Sequence, residues 1–351
     1  DEFLEEEATE SKVKPGILPE AAFEFLWYDP TVKERDLKEL PLSRYFEDLG
    51  LLQIRESWER DSKVLTIKCG HPGGKKQWKT GWQLYRQEGI RCLALSHHHP
   101  DNLSYIFARG GEYLTCEDGY NRNIMPDNHN VILVDGMYTD AKGVNDVYMS
   151  SVALRQQEQK DQEIENSYVG DVTCFQVDGS VVIYKGETSG IYPRALSMKE
   201  VSRTLFTDGL NFWVFVDVCR SDEAHIYQLI SNTVPKAVKA KETGYLYPMQ
   251  SGNIRYTVFS DKKVQEVLYD QDVVAVMTTQ EPDKVCHSHI ETLCTKSAEK
   301  VCNQVFFECF TFDEENAQVE WNERTLRIIC KGKKYEIRVD ENQTEILIKK
   351  Y

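Results

Sequence analysis

Residues 96–120 read SHHHPDNLSYIFARGGEYLTCEDGY: three histidines and a Pro-Asp step, then a strand–turn–strand pattern. Leu103 to Ala108 reads as a strand, Arg109-Gly110-Gly111 as a turn, and Glu112 to Cys116 as the return strand. Residues two apart on a strand share a face, so His97 and His99 point one way and His98 the other. Asp101 joins the first face if the strand continues that far. Pro100 supports the reading, because a residue before proline is pushed into extended conformations.

The turn decides which acid returns to the histidines. A two-residue Gly110-Gly111 turn pairs Arg109 with Glu112 and Leu103 with Asp118. A three-residue turn pairs Ala108 with Glu112 and Leu103 with Glu117. In either register a carboxylate shares the face of His97 and His99, and imidazole with carboxylate on one sheet face is a zinc-type ligand set. A histidine pair on a strand is, taken alone, commonly a polar surface or a satisfied buried pair. Here a further histidine follows in Asn128-His129-Asn130, which leads into a strand at Val131 to Val134.

Outward from this hairpin the chain reads as strands. LLQIRESW, SKVLTIKCG and IRCLALSH precede it, short, alternating and separated by Gly, Pro and Asp. DVTCFQV, SVVIYKG, EVSRTLF, NFWVFVDVC, AHIYQLI and NIRYTVF follow it, and QVFFECFTF, QVEWNERTLRIICKG, KYEIRVDE and TEILIKKY close the chain with hairpin turns. Helical periodicity is almost absent, and no repeat recurs at a fixed period. The expected fold is all-β: stacked antiparallel sheets, then a smaller β-sandwich, with a short helical or irregular N-terminal segment. The expected parts are a tail and linker over 1–35, a large sandwich carrying the hairpin over 36–260, and a small sheet domain over 261–351.

The 351 residues are 41% hydrophobic and 28% charged, ordinary for a globular protein. No apolar run approaches the ~20 residues that span a bilayer, so no membrane partner is expected. A net charge of −15 argues against nucleic acid as a partner. Local basic clusters survive in that background: Lys75, Lys76 and Lys79 in GGKKQWKTGW, with Arg91, Arg109 and Arg122 around the hairpin. Lys75, Lys76, Arg109 and Arg122 are the candidates for an anionic substrate, set against a plain solvated face. Among ten cysteines, Cys69, Cys92, Cys174, Cys219 and Cys330 sit in apolar runs as small hydrophobes. A chain this long needs no disulfide framework, and free thiols point to a cytoplasmic location. Cys286-His287-Ser288-His289 with Cys294 mimics a metal site, but its spacing fits no standard finger.

HHHPDNLSYIFARGGEYLTCEDGY followed by NHNVILVDG resembles the heparinase II/III-like polysaccharide lyases. LPLSRYFEDLGLLQIRESW and VSRTLFTDGLNFWVFVDV extend the resemblance over roughly residues 15 to 230. It implies that His97 is the active-site histidine and that His99 and His129 are ligands of a structural zinc. The acidic ligand falls on Glu117 by spacing, where the family usually has Asp, so Glu117 and Asp118 both stand as candidates. The implied reaction is β-elimination on a uronic acid-containing polysaccharide or oligosaccharide. It needs a base for the proton beside the carboxylate, a neutraliser for that carboxylate, and an acid at the leaving oxygen. His97 suits the base or the neutralising role, since imidazole titrates near neutrality. Family members carry a helical toroid before the β part. The chain is expected to require such a toroid, in cis or in trans, and to be inactive alone. Two other readings compete: a non-catalytic carbohydrate-binding or scaffold sandwich stapled by zinc, and a zinc hydrolase with an open water position.

Overall fold

A computed structural model describes residues 26–90, 99–116, 126–138, 169–240, 243–276, 285–340 and 346–351. The chain divides into two compact units, Asp1–Pro41 and Leu42–Tyr351. The described part of the first contains a 3-10 turn at Leu37–Glu39, capped by the Asp36 carboxylate accepting from the Lys38 amide.

The second unit is built from antiparallel strands. In chain order these are β1 Ser43–Phe46, β2 Leu51–Arg55, β3 Lys63–Lys68, β4 Tyr105–Arg109, β5 Glu112–Thr115, β6 Ile132–Val134 and β7 Asp171–Asp178. Then come β8 Val181–Glu187, β9 Met198–Asp208, β10 Phe212–His225, β11 Tyr227–Thr233, β12 Val238–Lys239, β13 Tyr245–Tyr247 and β14 Ile254–Ser260. The last are β15 Val264–Val276, β16 Val285–Ser297, β17 Val301–Phe312, β18 Gln318–Asn322, β19 Thr325–Cys330, β20 Lys333–Val339 and β21 Ile346–Lys350. The first sheet runs β1-β2-β3-β4-β5-β11-β16-β15, with β6 also on β11. The second runs β12-β13-β14-β17-β10-β9-β8-β7, and the third β18-β19-β20-β21.

The second sheet is the middle layer. Its central strands are apolar at consecutive positions because both their faces are covered. Trp213, Phe215, Phe306 and Phe310 pack toward the first sheet, with Leu52, Leu65, Tyr105 and Phe107. Phe212, Val214, Val216, Val305 and Phe307 pack toward the third, with Leu326, Ile328, Tyr335 and Ile337. The boundary expected at residue 261 falls inside these layers: β15, β16 and β17 complete the two large sheets, and the small sheet starts at Gln318.

One segment departs from the strand reading. Lys75–Glu88 is an α-helix, α1. Trp78 and Trp82 are one turn apart and share its buried face, their rings edge to face at 6.0 Å. No helix among the described residues is long and apolar enough to cross a membrane. Cys69, Cys219, Cys294, Cys309 and Cys330 are buried free thiols, while Cys174 is half-buried on β7. Cys92 lies outside the described residues.

Candidate functional site

The hairpin turns on two residues. Gly110 and Gly111 both have positive φ, at 59° and 78°, and Arg109 pairs with Glu112. One step in, the register slips: Ala108 faces Tyr113, but Phe107 faces Thr115. The Thr115 hydroxyl accepts the Phe107 amide at 2.8 Å, and Thr115 also pairs with Thr233 of β11. This bulge displaces by one residue the pairing that the two-residue turn alone would extrapolate to the histidine end. His97, Glu117, Asp118 and Arg122 lie outside the described residues. The strand expected from Leu103 starts instead at Tyr105, because Leu103 has φ 71°. For a bulky side chain that is a strained conformation held by its surroundings.

Those surroundings are specific. Leu103 N donates to Lys68 O at 2.7 Å, and Asn102 Oδ1 accepts from Gly70 N at 2.7 Å. Asp101 takes both its oxygens to Lys68 Nζ, at 2.6 and 2.9 Å. Asn130 then joins this loop to residues 126–131. Its amide N donates to Ser104 Oγ at 3.1 Å, its Nδ2 to Tyr105 O at 2.7 Å, and its Oδ1 accepts from Asn232 N at 2.6 Å. Gly186 of β8 closes the approach from the middle sheet, since a Cβ there would stand 2.6 Å from Cys69 Cβ and 2.8 Å from Leu103 Cδ2. His99 is half-buried and His129 fully buried, with ring centroids 5.2 Å apart and planes inclined by 60°.

Beneath the two loops lies a charged group the sequence reading did not assign. Arg203 on β9 faces Asp217 on β10 in direct register, and Glu308 on β17 faces Phe215. All three side chains have 0% exposure. Arg203 Nε and Nη2 donate to Asp217 at 2.7 and 3.0 Å, and Nη2 also to Glu308 at 2.9 Å. Nη1 crosses to the first sheet and donates to Leu103 O and Asn130 O, both at 2.8 Å. The five N–H groups of the guanidinium thus have five acceptors. Glu308 also accepts from the hydroxyls of Tyr256 at 2.6 Å and Tyr105 at 3.1 Å. Burial pushes the Glu308 carboxyl up; Arg203 draws it back, Asp217 opposes that, and the outcome is about 7. The signal in the sequence was a lone charge inside each of three runs buried on both faces, where a charge persists only if paired.

The remaining candidates scatter. Lys75 pairs with Asp171 at 2.9 Å, and Lys76 is exposed on α1. Arg109 sits at the turn end of the hairpin, away from His99, paired with Glu314 and lying over Phe312. His71, beside Lys75, is held below the usual imidazole range by burial, against the pull of Asp171. Cys286, His287 and His289 lie on β16 opposite Ala275, Val274 and Asp272 of β15. Among the described residues no three His, Cys, Asp or Glu side chains form a group able to hold a metal.

Comparison with solved structures places this architecture. A heparinase III matches with a TM-score of 0.55 at 13% identity, over 88% of this chain and 42% of its own. The fold is heparinase III-like. A second heparinase III matches at 0.55 and 12% identity, over 89% and 43%. The heparan sulfate lyase HepC of Pedobacter heparinus matches at 0.55 and 10%, over 88% and 42%. The chain therefore spans less than half the length of these heparinase III-like structures, and identities this low establish the fold alone. No protein-family model matches the sequence. Within the heparinase III-like fold, the two loops carrying His99 and His129 meet between β4 and β6, above the Arg203 group.

Proposed function

We propose that the chain is the β portion of a polysaccharide lyase that cleaves an acidic, uronic acid-containing polysaccharide of the glycosaminoglycan kind by β-elimination. The observation that carries this reading is the meeting of His99 and His129 on a heparinase III-like fold. The two loops that bring these imidazoles together are braced by hydrogen bonds of Asn102, Leu103 and Asn130, and both rings are at least half-buried, an arrangement expected of ligands rather than of surface histidines.

The donor set suits zinc. Neutral imidazole nitrogens and one carboxylate are hard-to-borderline ligands that this ion accepts. His99, His129 and either Glu117 or Asp118 would hold it, since β5 ends at Thr115, just before those acids. The ion would be structural, tying the hairpin to the 126–131 loop and so fixing the segment that carries His97. His97 takes the base or carboxylate-neutralising role. A helical toroid, in cis or in trans, contributes the acid and the second wall of the cleft. Lys75, Lys76 and Arg122 offer charge to the polyanion, and binding at Lys75 would compete with its Asp171 partner.

Elemental analysis of the purified chain should find about one zinc per chain, and H99A/H129A should abolish it. Joined to a helical toroid, the chain should release unsaturated uronate product from heparan sulfate, chondroitin-type or alginate substrates, followed by absorbance. H97A should stop turnover and leave the zinc. No transition metal above background, or turnover that survives H97A, would refute the assignment.

A further inference from the structure

We infer that Arg203 is the positioning residue for the His99–His129 pair. The inference rests on the reading that this pair holds a metal, and it adds what sets the spacing between them. An arginine serving only the core would spend its donors on Asp217 and Glu308. Arg203 instead sends both N–H groups of Nη1 out of its own sheet, to the carbonyls of Leu103 and Asn130. Asn130 adjoins His129, and Leu103 closes the short loop that begins at His99. A single nitrogen thus grips both loops, and the distance between the two carbonyls follows from the trigonal geometry of that nitrogen.

Three further observations support the assignment. The guanidinium cannot shift, because Asp217 holds it on two sides and the rings of Phe215 and Tyr105 lie 5.1 and 5.2 Å from its carbon. Leu103 keeps its left-handed φ of 71° while its carbonyl is turned inward to Nη1. Asn130 adds its own bonds to Tyr105 O and Asn232 N, so releasing Arg203 loosens the loops without detaching them. Lysine at 203 keeps the charge but brings one ammonium with three donors, too few to serve two carboxylates and two carbonyls.

The test measures zinc affinity by competition with a fluorescent chelator, together with the imidazole resonances of the metal-free protein by NMR. The variants are Arg203→Lys, Asp217→Asn as a milder change that leaves Arg203 in place, and Ile328→Ala as a stability control. Ile328 is fully buried between the middle and third sheets, away from the loops. R203K should weaken zinc at least 30-fold and D217N at least fivefold, and both should move the His99 and His129 resonances. I328A should lose stability yet stay within threefold of the parent, with unmoved resonances. R203K or D217N that binds within threefold of the parent, or weakens no more than I328A, would overturn the proposal. If R203K does not fold, D217N decides. If the parent binds no zinc, the metal reading fails by itself; the positioning claim then stands or falls on whether the histidine resonances of the metal-free variants move.

Discussion

Glu308 makes stability depend on pH in a window where most carboxylates are silent. In the unfolded chain its carboxyl titrates near 4.5, and in the folded protein near 7. Between those values the folded state holds a proton that the unfolded state has released. Raising the pH through the window therefore favours unfolding, and the loss is complete once the pH passes about 7. At about 1.4 kcal/mol per unit, the interval of about 2.5 units corresponds to about 3 kcal/mol. Glutamine at 308 still offers Arg203 and the tyrosines an acceptor but cannot ionise. Urea titrations of the parent and Glu308→Gln at steps from pH 4.5 to 8 isolate the effect, because other titrating groups cancel in the difference. The parent should lose about 3 kcal/mol relative to E308Q across that range. A difference independent of pH would refute the reasoning. So would one that grows in the parent's favour as pH rises, since attraction to Arg203 would then outweigh burial beside Asp217.

Gly186→Ala should cost about 1–3 kcal/mol in a urea titration, since the new methyl has no room against Cys69 and Leu103. Labelling with a thiol reagent should modify exposed Cys302 in the native protein, and Cys69, Cys219 and Cys309 only after unfolding. Burial pushes the Cys309 thiol up to about 12, which removes its nucleophilic form as well as its access. Burial pushes Asp208 up, but hydrogen bonds from Lys333, Ser180 and Tyr335 bring it down to about 2. Its contribution is present above the ordinary carboxylate value of 3.8 and is lost as pH falls through 2. With its side chain buried, it should amount to about 2 kcal/mol. Acid titration of tryptophan fluorescence should show a step between pH 4 and 2 that Asp208→Asn removes.

The strands were legible because alternation and turn residues are local signals. VSRTLFTD, NFWVFVDV and QVFFECFTF announced sheets, and the Gly110-Gly111 turn was one of the two registers the sequence allowed. The bulge opposite Phe107 was not legible, because it depends on Thr115 pairing with Thr233, a contact between distant parts of the chain. Helix α1 was missed although Trp78, Trp82 and Tyr85 recur at helical spacing; Gly81 and a lysine-rich face masked the period. His99 and His129 were picked out by residue type and neighbours, and their loops do meet. The Arg203 group went unassigned because its members stand on three strands, and only pairing shows that they share a face.

The span of that group has a kinetic consequence. Leu103 and Arg203 are 100 residues apart, and Arg203 and Glu308 a further 105. On a ribosome adding about 5–20 residues per second, the loop that starts at His99 waits roughly 10 to 40 s for its last anchor to be made. Until β17 arrives, β10 has an open edge and Arg203 lacks one of its two carboxylates. The nascent chain thus carries a long-lived, unzipped sheet, and its yield in a cell depends on what shields that edge during synthesis.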